Sequence, residues 1–178
     1  MSPRPALIAP AGVTALALAL LAGCGSGSTK PPRVAQHTAK LARFLQVDAA
    51  HRAVELTLIA GDGSANNGFN FNGYGRGQLL VQVPRGWRVT VHCHNAGSGF
   101  NSCAVVSGPR PVKLAFKGAS TPQPARGFAS GKTVSFTFTP TRTGTYRLAS
   151  VVPGHEQARM YAVLDVTRGG RPAISAGS

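Results

Sequence analysis

Acidic residues are scarce in this 178-residue chain: five Asp+Glu stand against 19 Lys+Arg, and the five (Asp48, Glu55, Asp62, Glu156, Asp165) are scattered. No two of them have the spacing of a carboxylate acid/base couple or of a hard-cation loop, which sets aside glycosidase-like and EF-hand-like chemistry. Aromatic residues make up only 7%, and no basic stripe interleaved with aromatics is available to stack single-stranded bases, so nucleic acid is not an expected partner. The sequence has neither an HExxH zinc motif nor a nucleophile elbow. Gly73-Tyr74-Gly75-Arg76-Gly77 has no helix pattern after it, which argues against a phosphate cradle. The expectation is therefore a non-enzyme. Charged residues reach only 13%, but the hydrophobic share of 43% is ordinary, so the chain should fold. Its length suits one domain with a leader and a linker.

Long apolar runs are also missing. The stretch Ala6 to Ala22 follows Arg4, is short for a permanent membrane span and carries Pro10, so residues 1–23 read as a secretory signal. The stretch ends in Leu21-Ala22-Gly23-Cys24, which resembles the bacterial lipobox. That resemblance implies cleavage before Cys24, lipidation of its thiol, and a chain exported and held on the outer face of the cell membrane or the periplasmic side. The alternative is a free Cys24 in a signal that is uncleaved or cleaved elsewhere. Removing residues 1–23 takes away Arg4 and none of the five acidic residues, so the remainder keeps a net charge of +13. Residues 24–42, with Gly25-Ser26-Gly27-Ser28 and Pro31-Pro32, read as the lipidated Cys and a flexible linker.

Of three cysteines, Cys93 and Cys103 remain as a pair in an oxidising compartment, and a disulfide is the default expectation. Two buried free thiols or a thiolate metal ligand are the alternatives. From about Arg43 onward, short β-branched runs alternate with Gly, Pro and Asn, the pattern of an all-β sandwich or barrel. Val54, Leu56 and Leu58 share one face of a strand, as do Val89, Val91 and Cys93. Further strands are expected at Leu79 to Val83, Cys103 to Val106, Val112 to Phe116, Thr133 to Phe138, Thr145 to Ser150 and Met160 to Val166. Ala35 to Leu45 reads as a short helix or an irregular lead-in, and residues 168–178 as a frayed, disordered tail.

Gly68-Phe69-Asn70-Phe71-Asn72-Gly73, the run Leu80 to Val91 around Pro84-Arg85-Gly86-Trp87, and Val152-Pro153-Gly154-His155 ending at Met160-Tyr161 together resemble the sulfocyanin-type cupredoxins. The resemblance covers about residues 43–167, which it marks as one domain. It implies a cupredoxin-like fold: an eight-stranded, two-sheet Greek-key β-sandwich with a copper site near one end. In that family a Cys thiolate and two His nitrogens hold copper with a weak axial Met. One His opens a strand as His-Ser, and the other ligands follow as Cys-x4-His-x4-Met. Here the second pattern reads Ser150, His155, Met160, and the first reads Asn101-Ser102. Two of four ligands are thus replaced, at Asn101 and Ser150. A Ser hydroxyl is hard and essentially undissociated near neutral pH, so no ordinary blue copper site is expected.

His155 and Met160 remain as a pair that either holds copper with other ligands or persists because the loop packs around it. Cys103 is a candidate for a shifted copper site. His92 and His94 form an outward i, i+2 pair that is either a weak Zn²⁺ or Cu²⁺ site or a solvated face. Copper, in some form other than a type 1 site, is the one cofactor in view. The basic surface suits acidic proteins or polyanionic envelope components, with the membrane reached through the lipid. Two functions compete: a binding or structural module whose copper site is degenerate, and a copper-binding or electron-transfer protein using His155 and Met160 with other ligands.

Overall fold

The computed structural model describes residues 40–108 and 113–177. The leader, Cys24, His37 and the linker up to residue 39 lie outside the described residues. Ten strands follow in chain order: β1 Leu45–Asp48, β2 Ala53–Ala60, β3 Leu79–Pro84, β4 Arg88–Asn95, β5 Ala104–Ser107, β6 Lys113–Leu114, β7 Thr133–Phe138, β8 Gly144–Ala149, β9 Tyr161–Thr167 and β10 Ala173–Ala176. One sheet has the order β1-β2-β4-β7 and the other β10-β3-β9-β8-β5-β6. From β2 to β8 the chain passes repeatedly from one sheet to the other, which winds the two layers into a Greek-key sandwich. That crossing also makes β2–β4 and β3–β9 parallel neighbours, while the other pairs are antiparallel.

Side-chain alternation decides what fills the space between the sheets. In β2 and β4 every second residue is buried: Val54, Leu56, Leu58 and Ala60 on one strand, Val89, Val91 and Cys93 on the other. They meet Leu79, Val81 and Val83 of β3 and Leu164 and Val166 of β9, all within one core. Each fully buried Leu or Val contributes about 1.5–3 kcal/mol relative to an exposed one. The Cys93–Cys103 disulfide joins β4 to the segment entering β5, and so links the two sheets. Cys103 is therefore not a free thiolate, and a shifted copper site built on its sulfur is excluded. The alternatives of free or metal-bound cysteines fall with it.

Several expectations need correction. A linker running through residue 42 does not hold: Leu41 is 1% exposed and packs in the core with Phe44, so the folded domain starts earlier than Arg43. The helical turn that opens the described residues stops at Ala42, because Leu45 already pairs with Leu56 in a ladder. The tail is not frayed: Ala173–Ala176 forms β10 and covers the edge of β3, with Ile174 buried against the core. A lone apolar residue in a Gly/Ala/Ser-rich stretch gave too weak a pattern to mark a strand, but an open edge of β3 gains four paired residues from it. With β1 and β10 the sandwich has ten strands instead of eight.

Candidate functional site

The ends of β8 and β9 and the loop between them form one pole of the sandwich. Ser150 directly follows β8 and Met160 directly precedes β9, and the Ser150 N–H donates to the Met160 carbonyl at 3.3 Å. The Met160 N–H donates back to the His155 carbonyl (2.9 Å), and the His155 N–H to Val152 (3.0 Å), which curls the loop into two tight turns. Outside contacts hold it. Asn66 Nδ2 donates to the carbonyls of Phe69 (2.7 Å) and Ala158 (2.8 Å), and the Arg76 N–H donates to Arg159 (2.9 Å). Arg147 on β8 faces Glu156 with Nη2 2.9 Å from Oε1. That oxygen makes no directed hydrogen bond, so the contact is ionic.

The Phe-Asn-Phe-Asn segment explains itself here. Phe71 is fully buried in the core, while the Phe69 ring meets His155 edge-on with centroids 5.2 Å apart. Asn70 Oδ1 accepts from the N–H groups of Asp62 and Gly73, and Asn72 binds β2 through Ile59 N–H and the Thr57 carbonyl. The Asn72 amide acts as a substitute ladder partner that fastens this segment to β2, and the Asn70 amide ties it to Asp62 in the loop after β2. Asn72 and Gly73 sit at φ 54° and 80°, a turn that the short polar side chain and the glycine both tolerate.

At the centre, Ser150 Oγ lies 2.9 Å from His155 Nδ1. The Ser102 N–H donates to Ser150 Oγ at 3.2 Å, Ser102 Oγ lies 3.4 Å from it, and the Val151 N–H donates to Ser102 Oγ at 3.0 Å. These contacts accommodate a chain of donors from Val151 N–H to Ser102, Ser102 O–H to Ser150, and Ser150 O–H to Nδ1 of a neutral imidazole, and equally the Nδ1–H tautomer donating to Ser150 Oγ. Burial pushes the His155 imidazole below its ordinary value of 6.5, in keeping with that neutral state. Ser150 is 0% exposed, so its hydroxyl is closed to solvent, while His155 borders a cleft.

Asn101 is 5% exposed, and its amide N–H donates to Asn95 Oδ1 at 2.7 Å. Asn95 in turn donates to the carbonyls of Gly99 (2.8 Å) and Phe128 (2.9 Å). Asn101 and His155 both line a cleft of about 420 Å³ together with Phe69, Phe100 and Val152. Phe100 is 54% exposed at its rim. The Met160 side chain is completely buried.

The structure therefore brings Ser150 and His155 into contact, sets Met160 beside them in the backbone turn, and places Asn101 on the same cleft. Two partners were not singled out from sequence, Ser102 and Asn95. Ser102 had a signal in its position next to Asn101, whereas Asn95 at the end of a strand had none. A thiolate and two imidazoles are what type 1 copper requires, and the donors here are one hydroxyl, one amide and one imidazole already hydrogen-bonded through Nδ1. These residues do not fit that group. Among the described residues no set of three or more His, Cys, Asp or Glu side chains is positioned to hold a metal ion.

Comparison with known proteins bears on the same region. Residues 40–170 match the family model described as "Sulfocyanin (SoxE) domain". Sulfocyanin of Sulfolobus acidocaldarius is 27% identical over 128 residues, covering 65% of this chain and 64% of that protein. The chain thus spans slightly less than two thirds of the length of this relative. Among solved structures, a blue copper oxidase from Nitrosomonas europaea aligns with a TM-score of 0.51 at 22% identity, over 66% of this chain and 39% of that one. A reduced auracyanin from Roseiflexus castenholzii aligns with a TM-score of 0.48 at 19% identity, over 64% and 96%. The oxidase likeness speaks to the fold alone.

Proposed function

Because the chain belongs to the sulfocyanin family, we propose that it is a membrane-anchored, extracytoplasmic lipoprotein whose type 1 copper site is degenerate and whose domain serves as a binding or structural module. The carrying observation is the 2.9 Å contact between Ser150 Oγ and His155 Nδ1. A hydroxyl and an imidazole satisfy each other where the family pattern calls for thiolate, imidazole and metal. A metal entering there would have to break the chain Ser102–Ser150–His155 and would gain no thiolate ligand. Asn101 is likewise committed to Asn95. The anchor itself rests on the leader and on Leu21-Ala22-Gly23-Cys24.

Charge supports the choice of partner. Arg52, Arg85, Arg88, Arg142, Arg168 and Arg171 are exposed, and strand register gathers them at the pole opposite Ser150 and Met160. Guanidinium groups pair bidentately with phosphate and carboxylate, which favours a polyanionic envelope component or an acidic protein.

Absorption spectroscopy of the chain purified with copper tests the reading. The expected spectrum lacks the intense thiolate-to-copper band. An intense blue colour in the wild type that disappears in Met160→Ala would overturn it.

A further inference from the structure

The outer face of the four-stranded sheet carries a feature that the Ser150–His155 pole does not use. His92 and His94 are alternate residues of β4, so both imidazoles lie on the face opposite Cys93 and the core. Each ring is held by its cross-strand partner on β7. His92 Nδ1 lies 2.8 Å from Ser135 Oγ and His94 Nδ1 lies 3.0 Å from Thr133 Oγ1, matching the register His92↔Ser135 and His94↔Thr133. Both hydrogen bonds engage the same ring nitrogen, Nδ1, so in each ring Nε2 is the nitrogen that these bonds leave over. The Glu55 carboxylate of β2 lies 3.7 Å from His92 Nε2.

We propose that His92 and His94 form a surface chelate for Cu²⁺, bound through their two Nε2 atoms. Three properties support this. Imidazole nitrogens one strand repeat apart can reach a common ion, and outer-shell hydrogen bonds to Nδ1 fix ring orientation and raise basicity, as they do in protein metal sites. Glu55 is one of only five acidic residues in a strongly basic chain, and it stands where an approaching cation needs local negative charge. With two imidazoles and the remaining positions open to water, tetragonal N/O coordination favours Cu²⁺ over other divalent first-row ions. The site is an open two-imidazole chelate, so it does not form a closed cluster of protein ligands.

The test is a Cu²⁺ titration of the purified full chain, read by calorimetry and by electron paramagnetic resonance. One ion per chain should bind with a tetragonal spectrum showing coupling to imidazole nitrogen. His92→Gln and His94→Gln, both on an exposed face, should each weaken binding at least about tenfold, since even outer-shell losses cost that much. Ser135→Ala combined with Thr133→Val, which leaves both ligands in place, should weaken it about tenfold by freeing the rings. His155→Gln should bind copper as the wild type does. Unchanged affinity in both single histidine variants, or loss of the ion in His155→Gln, overturns the proposal.

Discussion

Ser150 and His155, five residues apart, are joined side chain to side chain at 2.9 Å, and the hydroxyl is fully buried while the ring borders a cleft. The contact engages Nδ1 of the ring, and burial favours the neutral imidazole.

A pH dependence follows. Burial lowers the folded-state pKa of His155 below 6.5, so as pH drops past that value the unfolded chain takes up a proton that the folded chain resists. This group's share of stability is fully present above pH 6.5 and is lost as pH falls through the folded value. Urea midpoints measured across that range should decline less steeply for His155→Gln than for the wild type. An NMR titration midpoint for His155 at or above 6.5 would contradict the burial argument.

The disulfide gives a second expectation. Cys93 and Cys103 are both 0% exposed, ten residues apart in sequence, and join opposite sheets. Closing so short a loop stabilises the fold by about 2–3 kcal/mol in the chain-entropy account. Cys93→Ala with Cys103→Ala should lower unfolding free energy by at least that amount in urea. A change below about 1 kcal/mol would mean that the unfolded chain is already constrained.

Gly127 tests the packing behind the cleft. It sits at φ 73°, and a Cβ there would lie 2.8 Å from both the Asn101 carbonyl oxygen and Val152 Cγ2. Gly127→Ala therefore combines backbone strain with a clash against two cleft residues, and should cost about 1–3 kcal/mol. The same substitution at Gly131, also at φ 73° but with open space around it, should cost less. Thermal melts of the two variants separate the steric part from the conformational part.

The sequence made the core strands legible because every second residue of β2, β4 and β9 is buried and the residues between them are half-buried or exposed. Two of the edge strands, β1 and β10, were not legible. β1 has no buried residue and β10 has one, so both exist through pairing, and pairing leaves no periodic trace in an edge. At the site, five-residue spacing was enough to associate Ser150, His155 and Met160. What the residues do there depends on partners distant in sequence, Ser102 for Ser150 and Asn95 for Asn101, which no local pattern announces.

Restoring the lost ligand types is the most demanding prediction. Asn101→His with Ser150→Cys should create a thiolate and a second imidazole beside His155 and Met160, in a loop already held by Asn66, Arg76 and Arg147. Ser150→Cys removes the hydroxyl that now occupies His155 Nδ1, which frees that nitrogen. Asn101→His must give up the 2.7 Å hydrogen bond to Asn95, but the residue borders the cleft, where an imidazole has room. The chief hazard is a new thiol attacking the Cys93–Cys103 bridge, so non-reducing mass mapping must accompany the spectrum. The double variant, with its native bridge intact, should take up copper and develop intense thiolate-to-copper absorption, and neither single variant should. Each single variant has only three of the four donors: Asn101→His lacks the thiolate, and Ser150→Cys lacks the second imidazole. A folded double variant with an intact bridge and no such band would mean that Asn101 and Ser150 are not the positions from which ligands were lost.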